Sequence, residues 1–307
     1  MQPARAERGE LRARPGPVFA AGVLWVGLAL GSAAFGHEAI RRQIADLDAR
    51  IAAHPRDASL YLSRGERHRH HAAWNEAARD YQRARELDPG LDAVDLCLGR
   101  MHLDAGHPDP AIESLDRFLR KRPDHVEAMT ARARALSLLG RNPEAVQDYT
   151  RAITAHRPGL NPDPDLFLER ARALTGIPEP RLVDALHGLD EGLATLGPVV
   201  SLELEAIDLE VRLGRFDAAL ARLDRLAGLS PRKESYLVRR AGVLETASRS
   251  DEARRTYAEA LKAIAALPIE RRAARAVRDL ERTARSALAR MDRASGLAAQ
   301  DECGEKR

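Results

Sequence analysis

The fold is decided by residues 58–91, ASLYLSRGERHRHHAAWNEAARDYQRARELDPGL. Residues suited to a core recur in this stretch three and four positions apart, in two groups: Tyr61, Gly65 and His68, then Ala77, Tyr81 and Ala84. That spacing predicts two helices, each with one face toward a core. Pro89 ends the second helix, because proline cannot continue one. Small side chains at Gly65 and Ala77 let the helices cross closely, so the stretch predicts one antiparallel helix hairpin.

The same pattern recurs along the chain at a nearly constant period. Six alanines mark it, at intervals of 34, 34, 40, 34 and 34 residues: Ala77, Ala111, Ala145, Ala185, Ala219 and Ala253. A period of 34 residues indicates a repeat protein in which each hairpin packs on its neighbours. The predicted repeat region is 58–267, in six windows: 58–91, 92–125, 126–159, 164–199, 200–233 and 234–267.

These windows resemble the tetratricopeptide repeat, a helix hairpin with the pattern W-x2-L-G-x2-Y, A-x3-F and P. In the first window the matching residues are Tyr61, Gly65, His68, Ala77, Tyr81 and Pro89. Later windows drift, and Ile207 stands where the fifth window should have a small residue. The resemblance implies an all-α fold, a right-handed superhelical solenoid of about six hairpins. It also implies a protein that binds other molecules rather than transforming them.

A different kind of segment precedes the repeats. Residues 18–34, from Val18 to Ala34, carry no charge and follow four arginines: Arg5, Arg8, Arg12 and Arg14. A basic stretch before an apolar one is typical of a signal peptide, here cleaved near Ala34 or Gly36. An uncleaved anchor in the inner membrane is the alternative. Both interpretations of residues 1–36 predict that the repeats lie outside the cytoplasm, in the periplasm or otherwise exported, because the basic flank stays inside.

Two helices are expected to cap the repeats. Residues 37–57 carry apolar residues at helical spacing: Ile40, Ile44, Leu47 and Ile51. Residues 268–294 place an apolar stripe opposite a row of arginines: Arg271, Arg275, Arg278, Arg282 and Arg285. Solenoid ends need such helices, because each repeat contacts only its neighbours. A basic helix lying on an anionic membrane is the alternative for the second. Residues 295–307 are expected to be disordered.

Composition and motifs argue against several classes of function. The formal net charge is +3 and aromatic residues make up 4% of the chain, so nucleic-acid binding is not expected. The sequence contains no H-E-x-x-H, no G-x-S-x-G and no phosphate-binding glycine loop, and its two cysteines give no disulfide framework. We therefore expect no catalytic residue, no cofactor and no metal site. Glu66 and His70 could offer two metal ligands, and His37 could become an amino-terminal one.

The first helix of each hairpin lines the concave surface in the resembling family, so the binding residues are expected there. The fifth residue of each window forms a mostly apolar column: Leu62, Leu96, Thr130, Leu168, Leu204 and Val238. The ninth forms a polar one: Glu66, Arg100, Arg134, Arg172, Asp208 and Gly242. These columns depart from the lysine and asparagine pattern of the family's carboxylate clamp for chaperone tails, so that ligand is not implied.

The two columns predict a peptide-binding site at Leu62, Leu96, Arg100, Thr130, Arg134, Leu168, Arg172 and Leu204. Arginines beside an apolar shelf suit an acidic peptide, because guanidinium groups bind carboxylates bidentately. The alternative is a solvated arginine ladder paired with Glu127, Asp165 and Glu169. A second set of arginines stands immediately before the small residue of the first helix: Arg64, Arg132, Arg170 and Arg240. We expect their aliphatic stems to pack along the neighbouring hairpin and their guanidinium groups to reach water or a carboxylate.

Together these features predict a non-enzymatic protein-binding or peptide-binding scaffold of the bacterial cell envelope. Two other functions stay open. One is a membrane-tethered assembly factor for an envelope complex, and the other is a periplasmic metal-handling protein.

Overall fold

The computed structural model describes residues 38, 40–155 and 161–304, with side chains up to 293. Regular structure in this part of the chain is entirely α-helical. The chain divides into two compact units, Met1–Cys97 and Leu98–Arg307, called here the N-terminal and C-terminal units. The all-α fold of helix hairpins predicted from the sequence is confirmed.

The N-terminal unit contains one complete hairpin, which follows a single helix along the chain. Helix α1 covers residues 40–53, α2 is Ala58–His70 and α3 is Trp74–Leu87. Helix α2 begins where the Asp57 side chain accepts a hydrogen bond from the Ser59 backbone N–H at 2.9 Å. Helices α2 and α3 pack together as the hairpin of the first window. The next helix, α4 (Ala93–Asp104), begins in this unit and continues into the other.

The C-terminal unit continues the series of hairpins. Its helices after α4 are α5 (Pro108–Lys121), α6 (Val126–Leu138), α7 (Asn142–Thr154), α8 (Pro164–Thr175), α9 (Leu182–Leu196), α10 (Val200–Arg212), α11 (Phe216–Leu229), α12 (Glu234–Thr246) and α13 (Ser250–Ala265). From α5 to α13 each helix packs on the next one along the chain. Even-numbered helices are therefore the first helices of the hairpins, and odd-numbered ones are the second.

Burial explains the alanine period. The six alanines that mark it are completely buried, and the large residue four positions after each is at most 3% exposed: Tyr81, Leu115, Tyr149, Leu189, Leu223 and Tyr257. A small residue at one position and a large one a turn later fill the space where two helices cross. Ile207 replaces the small residue of the fifth window and is also completely buried.

The turns inside the hairpins repeat as well. Five of them place one residue with positive φ at an equivalent position: Ala72, Gly106, Gly140, Gly214 and Ser248. Three of the five are glycine, which adopts this backbone conformation without a steric penalty. The fourth window lacks this turn and connects α8 to α9 through residues 176–181, as its longer spacing predicts.

The C-terminal unit ends on a long helix. After the single turn α14 (Ile269–Arg272), α15 runs over Arg275–Gly304 and packs on α13 and α12. Its inner face buries Ala284, Ala287 and Met291. Helix α15 extends to Gly304, into the segment 295–307 for which the sequence predicted disorder. The sequence of 294–300, ASGLAAQ, contains mostly good helix formers.

Among the helices of the described residues, none is long and apolar enough to cross a membrane. The predicted signal peptide or anchor, residues 1–36, lies outside the described part of the chain.

Candidate peptide-binding surface

The predicted site residues all lie on first helices. In the N-terminal unit, Leu62 is on α2 and Leu96 is on α4, and both are half-buried. In the C-terminal unit, the other six are distributed over α4, α6, α8 and α10: Arg100, Thr130, Arg134, Leu168, Arg172 and Leu204.

Each of the three predicted arginines faces a glutamate of the next first helix. Arg100 Nη1 lies 2.8 Å from Glu127 Oε1. Arg134 Nε donates to both carboxylate oxygens of Glu169, at 3.0 and 2.9 Å. Arg172 Nε lies 3.6 Å from Glu205 Oε2. We call these three ion pairs the arginine ladder. Two of its glutamates were anticipated from the sequence, whereas Glu205 was not.

The ladder reverses its polarity at the next step. The ninth residue of the fifth window is Asp208, and it accepts a hydrogen bond from Arg239 Nη2 on α12 at 2.6 Å. The same nitrogen also donates to the Leu204 carbonyl at 3.2 Å. In this pair the arginine lies on the later first helix, α12, and the carboxylate on the earlier one, α10, which is the reverse of the three ladder pairs. The pairs therefore compensate charge from α4 to α12.

Exposure separates the arginines of the ladder. The Arg172 side chain is 61% exposed, compared with 44% for Arg134 and 28% for Arg100. Arg172 also has the longest ion-pair distance of the three. The hydrogen bond to Glu169 is the main cause of the raised pKa of Arg134, which is opposed by burial. Arg172 is therefore the ladder cation most accessible to a ligand.

The apolar column is less open than the sequence suggested. Leu168 and Val238 are buried, and Leu204 is half-buried like Leu62 and Leu96. The Thr130 hydroxyl donates to the Val126 carbonyl within its own helix, at 2.9 Å. Helix α8, which carries Leu168, packs on α10, which carries Leu204. The ligand-accessible part of the surface is consequently more polar than expected.

The second arginine set joins helices in the way expected for packing residues. Arg132 binds Asp148 on α7 through Nε and Nη2, both at 2.7 Å, and Asp116 on α5 through Nη1, also at 2.7 Å. Arg64 makes the same three bonds in the N-terminal unit, to Asp80 and Asp48. In both sets the aspartates lie 16 residues before and after the arginine. The hydrogen bond to the later aspartate is the main cause of the raised pKa of each arginine.

The other two members of this set have altered partners. Arg240 binds Asp224 at 2.9 Å but finds Thr256 where an aspartate would stand. For Arg170, the position of the later aspartate is occupied by Gly188, and Arg170 Nη2 donates to Glu191 Oε2 instead, at 2.6 Å. Each arginine keeps a carboxylate partner although the period has drifted.

The fifth window inverts this arrangement, which sequence reasoning missed. Arg222 lies on the second helix, α11, at the position that aligns with Asp80 and Asp148. It binds three carboxylates, those of Glu203, Glu210 and Asp190, at 2.8, 2.9 and 2.6 Å. An arginine at the aspartate position was the signal that could have revealed the exchange.

Glu66, one of the possible metal ligands, has other partners, and His37 lies outside the described residues. The Tyr81 hydroxyl donates to Glu66 Oε1 at 2.5 Å, and Arg69 Nη2 donates to Glu66 Oε2 at 3.1 Å. Burial, and then the hydrogen bond to Glu66, raises the pKa of Tyr81. Within the described residues there is no group of three or more His, Cys, Asp or Glu side chains that could hold a metal ion.

The successive helix hairpins define an α-helical repeat protein. A sequence model described as tetratricopeptide repeat matches residues 98–159 and 204–268. These two stretches are tetratricopeptide repeats, as the sequence pattern predicted.

Solved structures of low sequence identity share the fold. A tetratricopeptide repeat protein from Cytophaga hutchinsonii has a TM-score of 0.62 and 14% identity, over 80% of this chain and 96% of that one. One from Parabacteroides merdae has a TM-score of 0.51 and 15% identity, over 86% of this chain and 99% of that one. PilW, a type IV pilus biogenesis factor, has a TM-score of 0.53 and 17% identity, over 71% of this chain and 100% of that one. Comparison with curated proteins gave no match.

Proposed function

We propose that this chain is a non-enzymatic scaffold that binds an acidic peptide or protein segment along the first helices of its C-terminal unit. The observation that carries the proposal is the arginine ladder on consecutive first helices, with Arg172 61% exposed and only loosely paired. The ladder offers a row of guanidinium groups on a rigid helical framework. Such a row suits recognition of several carboxylates on one ligand.

Binding would proceed by exchange of carboxylates. A ligand carboxylate replaces Glu205 at Arg172, and further ligand carboxylates replace Glu169 and Glu127. Exposed ion pairs contribute about 0–1 kcal/mol each, so displacing a protein glutamate costs little. The ion pair that a ligand carboxylate forms with the arginine contributes about as much free energy as the ion pair of the displaced glutamate. Affinity therefore also needs apolar contact. The half-buried Leu204, which precedes the Arg172 partner Glu205 in the chain, would provide such contact.

The test is capture of partners by the full chain from an extract of its native host, measured by quantitative mass spectrometry. In the test variant Arg100, Arg134 and Arg172 are all changed to glutamine. Binding should weaken by about tenfold, since three ion pairs with the ligand, each contributing up to about 1 kcal/mol, would be lost together. Rising salt should weaken capture by the parent, because the attraction is between exposed charges.

A matched control removes three exposed arginines from second helices, through Arg79→Gln, Arg83→Gln and Arg120→Gln. Its net charge equals that of the test variant, so it should capture the same partners as the parent. Circular dichroism should give the same helix content for all three proteins. Retention of every partner by the ladder variant would refute binding at this surface.

We also propose that the scaffold works in the cell envelope, and this proposal rests on the sequence of residues 1–36. If residues 18–34 are retained in the mature protein, the scaffold is tethered to the membrane; if they are removed, it is free in the periplasm. A reporter that is active only outside the cytoplasm, fused after Arg307, should be active. Activity of a cytoplasm-specific reporter would contradict export. Mass spectrometry of the mature amino terminus then separates cleavage from anchoring.

A further inference from the structure

An exposed row of arginines covers the outer side of the C-terminal helices. We call it the C-terminal basic face, and it consists of Arg271, Arg272, Arg275, Arg278, Arg282 and Arg285, all exposed. Residues 269–285 contain these six arginines and three acidic residues, Glu270, Asp279 and Glu281, which gives 6 − 3 = +3. This segment therefore carries as much net positive charge as the whole chain, for which the formal value is +3.

Among the described residues, three of these six arginines have an ion-pair partner: Arg275, Arg282 and Arg285. Asp279 lies 2.8 Å from Arg282 but 3.9 Å from Arg275, whose side chain is 93% exposed. Glu281 pairs with Arg285 at 2.6 Å. Arg271, Arg272 and Arg278 have no carboxylate within ion-pair distance among the described residues. The part of the face nearest the start of α15 is consequently the most strongly cationic.

The geometry of α15 fixes the direction of this face. Ala284, Ala287 and Met291 are buried on the side that packs on the repeats, and the arginines lie on the opposite side. A helix rises about 1.5 Å per residue, so Arg275 and Arg285 lie about 15 Å apart along it. The apolar side chain of Ile269 is 72% exposed at the same end of the helix. The result is a cationic face with one large apolar side chain exposed at its end.

The side chains of the C-terminal basic face are suited to binding phosphate groups that are spread over a broad surface. All basic residues in 269–293 are arginine, the side chain that binds phosphate bidentately. The same segment contains no aromatic residue and no histidine, so it offers no platform on which nucleic-acid bases could stack. Ile269 could enter the headgroup region of a bilayer, where apolar side chains add to electrostatic attraction. We propose that the C-terminal basic face binds the anionic surface of a phospholipid bilayer.

The test is sedimentation of the full chain with vesicles of mixed phosphatidylcholine and phosphatidylglycerol, compared with vesicles of phosphatidylcholine alone. The parent should prefer the anionic vesicles by at least about tenfold, since a basic residue near such a surface contributes about 1 kcal/mol. This preference should decline as salt rises. Subtracting binding to neutral vesicles removes any contribution that residues 18–34 make through apolar insertion.

The decisive comparison uses two variants of equal net charge. One carries Arg271→Glu, Arg272→Glu, Arg275→Glu and Arg278→Glu, and should lose the preference for anionic vesicles. Its fold should persist, because acidic residues near a helix N-terminus are favourable. The control carries Arg79→Glu, Arg83→Glu, Arg120→Glu and Arg212→Glu, at exposed positions elsewhere, and should keep most of the preference.

Equal loss in the two variants would overturn the proposal, because net charge rather than this face would then explain binding. Absence of any preference for anionic vesicles in the parent would also overturn it. A last measurement tests duplex DNA as the ligand. If DNA binds the parent more tightly than anionic vesicles do, and only the first variant loses DNA binding, the face is a nucleic-acid site instead. None of these results depends on peptide capture by the arginine ladder.

Discussion

The ring of Tyr81 lies directly against the backbone of Gly65. A β-carbon placed on Gly65 would be 2.5 Å from Cε1 of that ring, well inside normal contact distance. Leu115 stands in the same relation to Gly99, where the added β-carbon would be 2.5 Å from the leucine Cγ. In both hairpins the glycine on the first helix creates the space that the large residue on the second helix fills.

Gly65→Ala should therefore destabilise the protein, although alanine is the better helix former. Overpacking a core costs about 1–3 kcal/mol, which exceeds the gain of about 1 kcal/mol in helix propensity. Urea unfolding followed by circular dichroism measures the difference. Gly228→Ala is the control, because no atom lies within 4 Å of its added β-carbon inside α11. That variant should be at least as stable as the parent, because alanine is the better helix former and meets no steric conflict there.

Tyr81→Ala should cost about 3–5 kcal/mol, because the side chain is completely buried. Tyr81→Phe keeps the ring and removes only the hydroxyl that donates to Glu66, so it should cost about 1 kcal/mol. Unfolding is best followed region by region through amide hydrogen exchange, since coupling between repeats is local. Equal effects of the two variants would mean that ring packing does not dominate this site.

Asp148→Asn should be much more harmful than Asp116→Asn, although both aspartates bind Arg132. The Asp148 side chain is 5% exposed and makes two of the three bonds, whereas that of Asp116 is 40% exposed. Breaking a buried ion pair costs about 3 kcal/mol or more, and an exposed one costs about 1 kcal/mol or less. Chemical unfolding of the two single variants gives the comparison. Similar losses would show that the two carboxylates share the stabilisation of Arg132 equally.

Alkaline conditions should unfold the C-terminal unit partly through Tyr257. Burial, and then the hydrogen bond to Glu245, raises the pKa of this hydroxyl from 10.0 to about 12. Between these two values the folded protein holds a proton that the unfolded chain has released, so stability is complete below pH 10 and falls as the pH rises toward about 12. Tyr257→Phe should remove part of this pH dependence in thermal melts. An identical slope in parent and variant would exclude Tyr257 as a contributor.

The sequence by itself determined the hairpins and most of their core. The alanines that mark the period and the large residues that follow them are buried as predicted, because a helix brings residues three and four apart to one face whatever the rest of the fold does. Tyr81 and Tyr149 could be placed in the core for this reason. The fold class followed from the same local pattern, repeated six times.

Only the tertiary structure decided the partners of the surface charges. Glu205 lies 33 residues after Arg172, on the next first helix, and Arg222 on α11 binds three carboxylates from two other helices, α9 and α10. Several carboxylates in the sequence could have met either arginine. Which of them does so depends on how far each helix is rotated and shifted against its neighbour, and packing sets that geometry after the helices have formed. The repeated sequence pattern determines the backbone of each hairpin. The ion pairs of the long charged side chains are determined by the packing between hairpins.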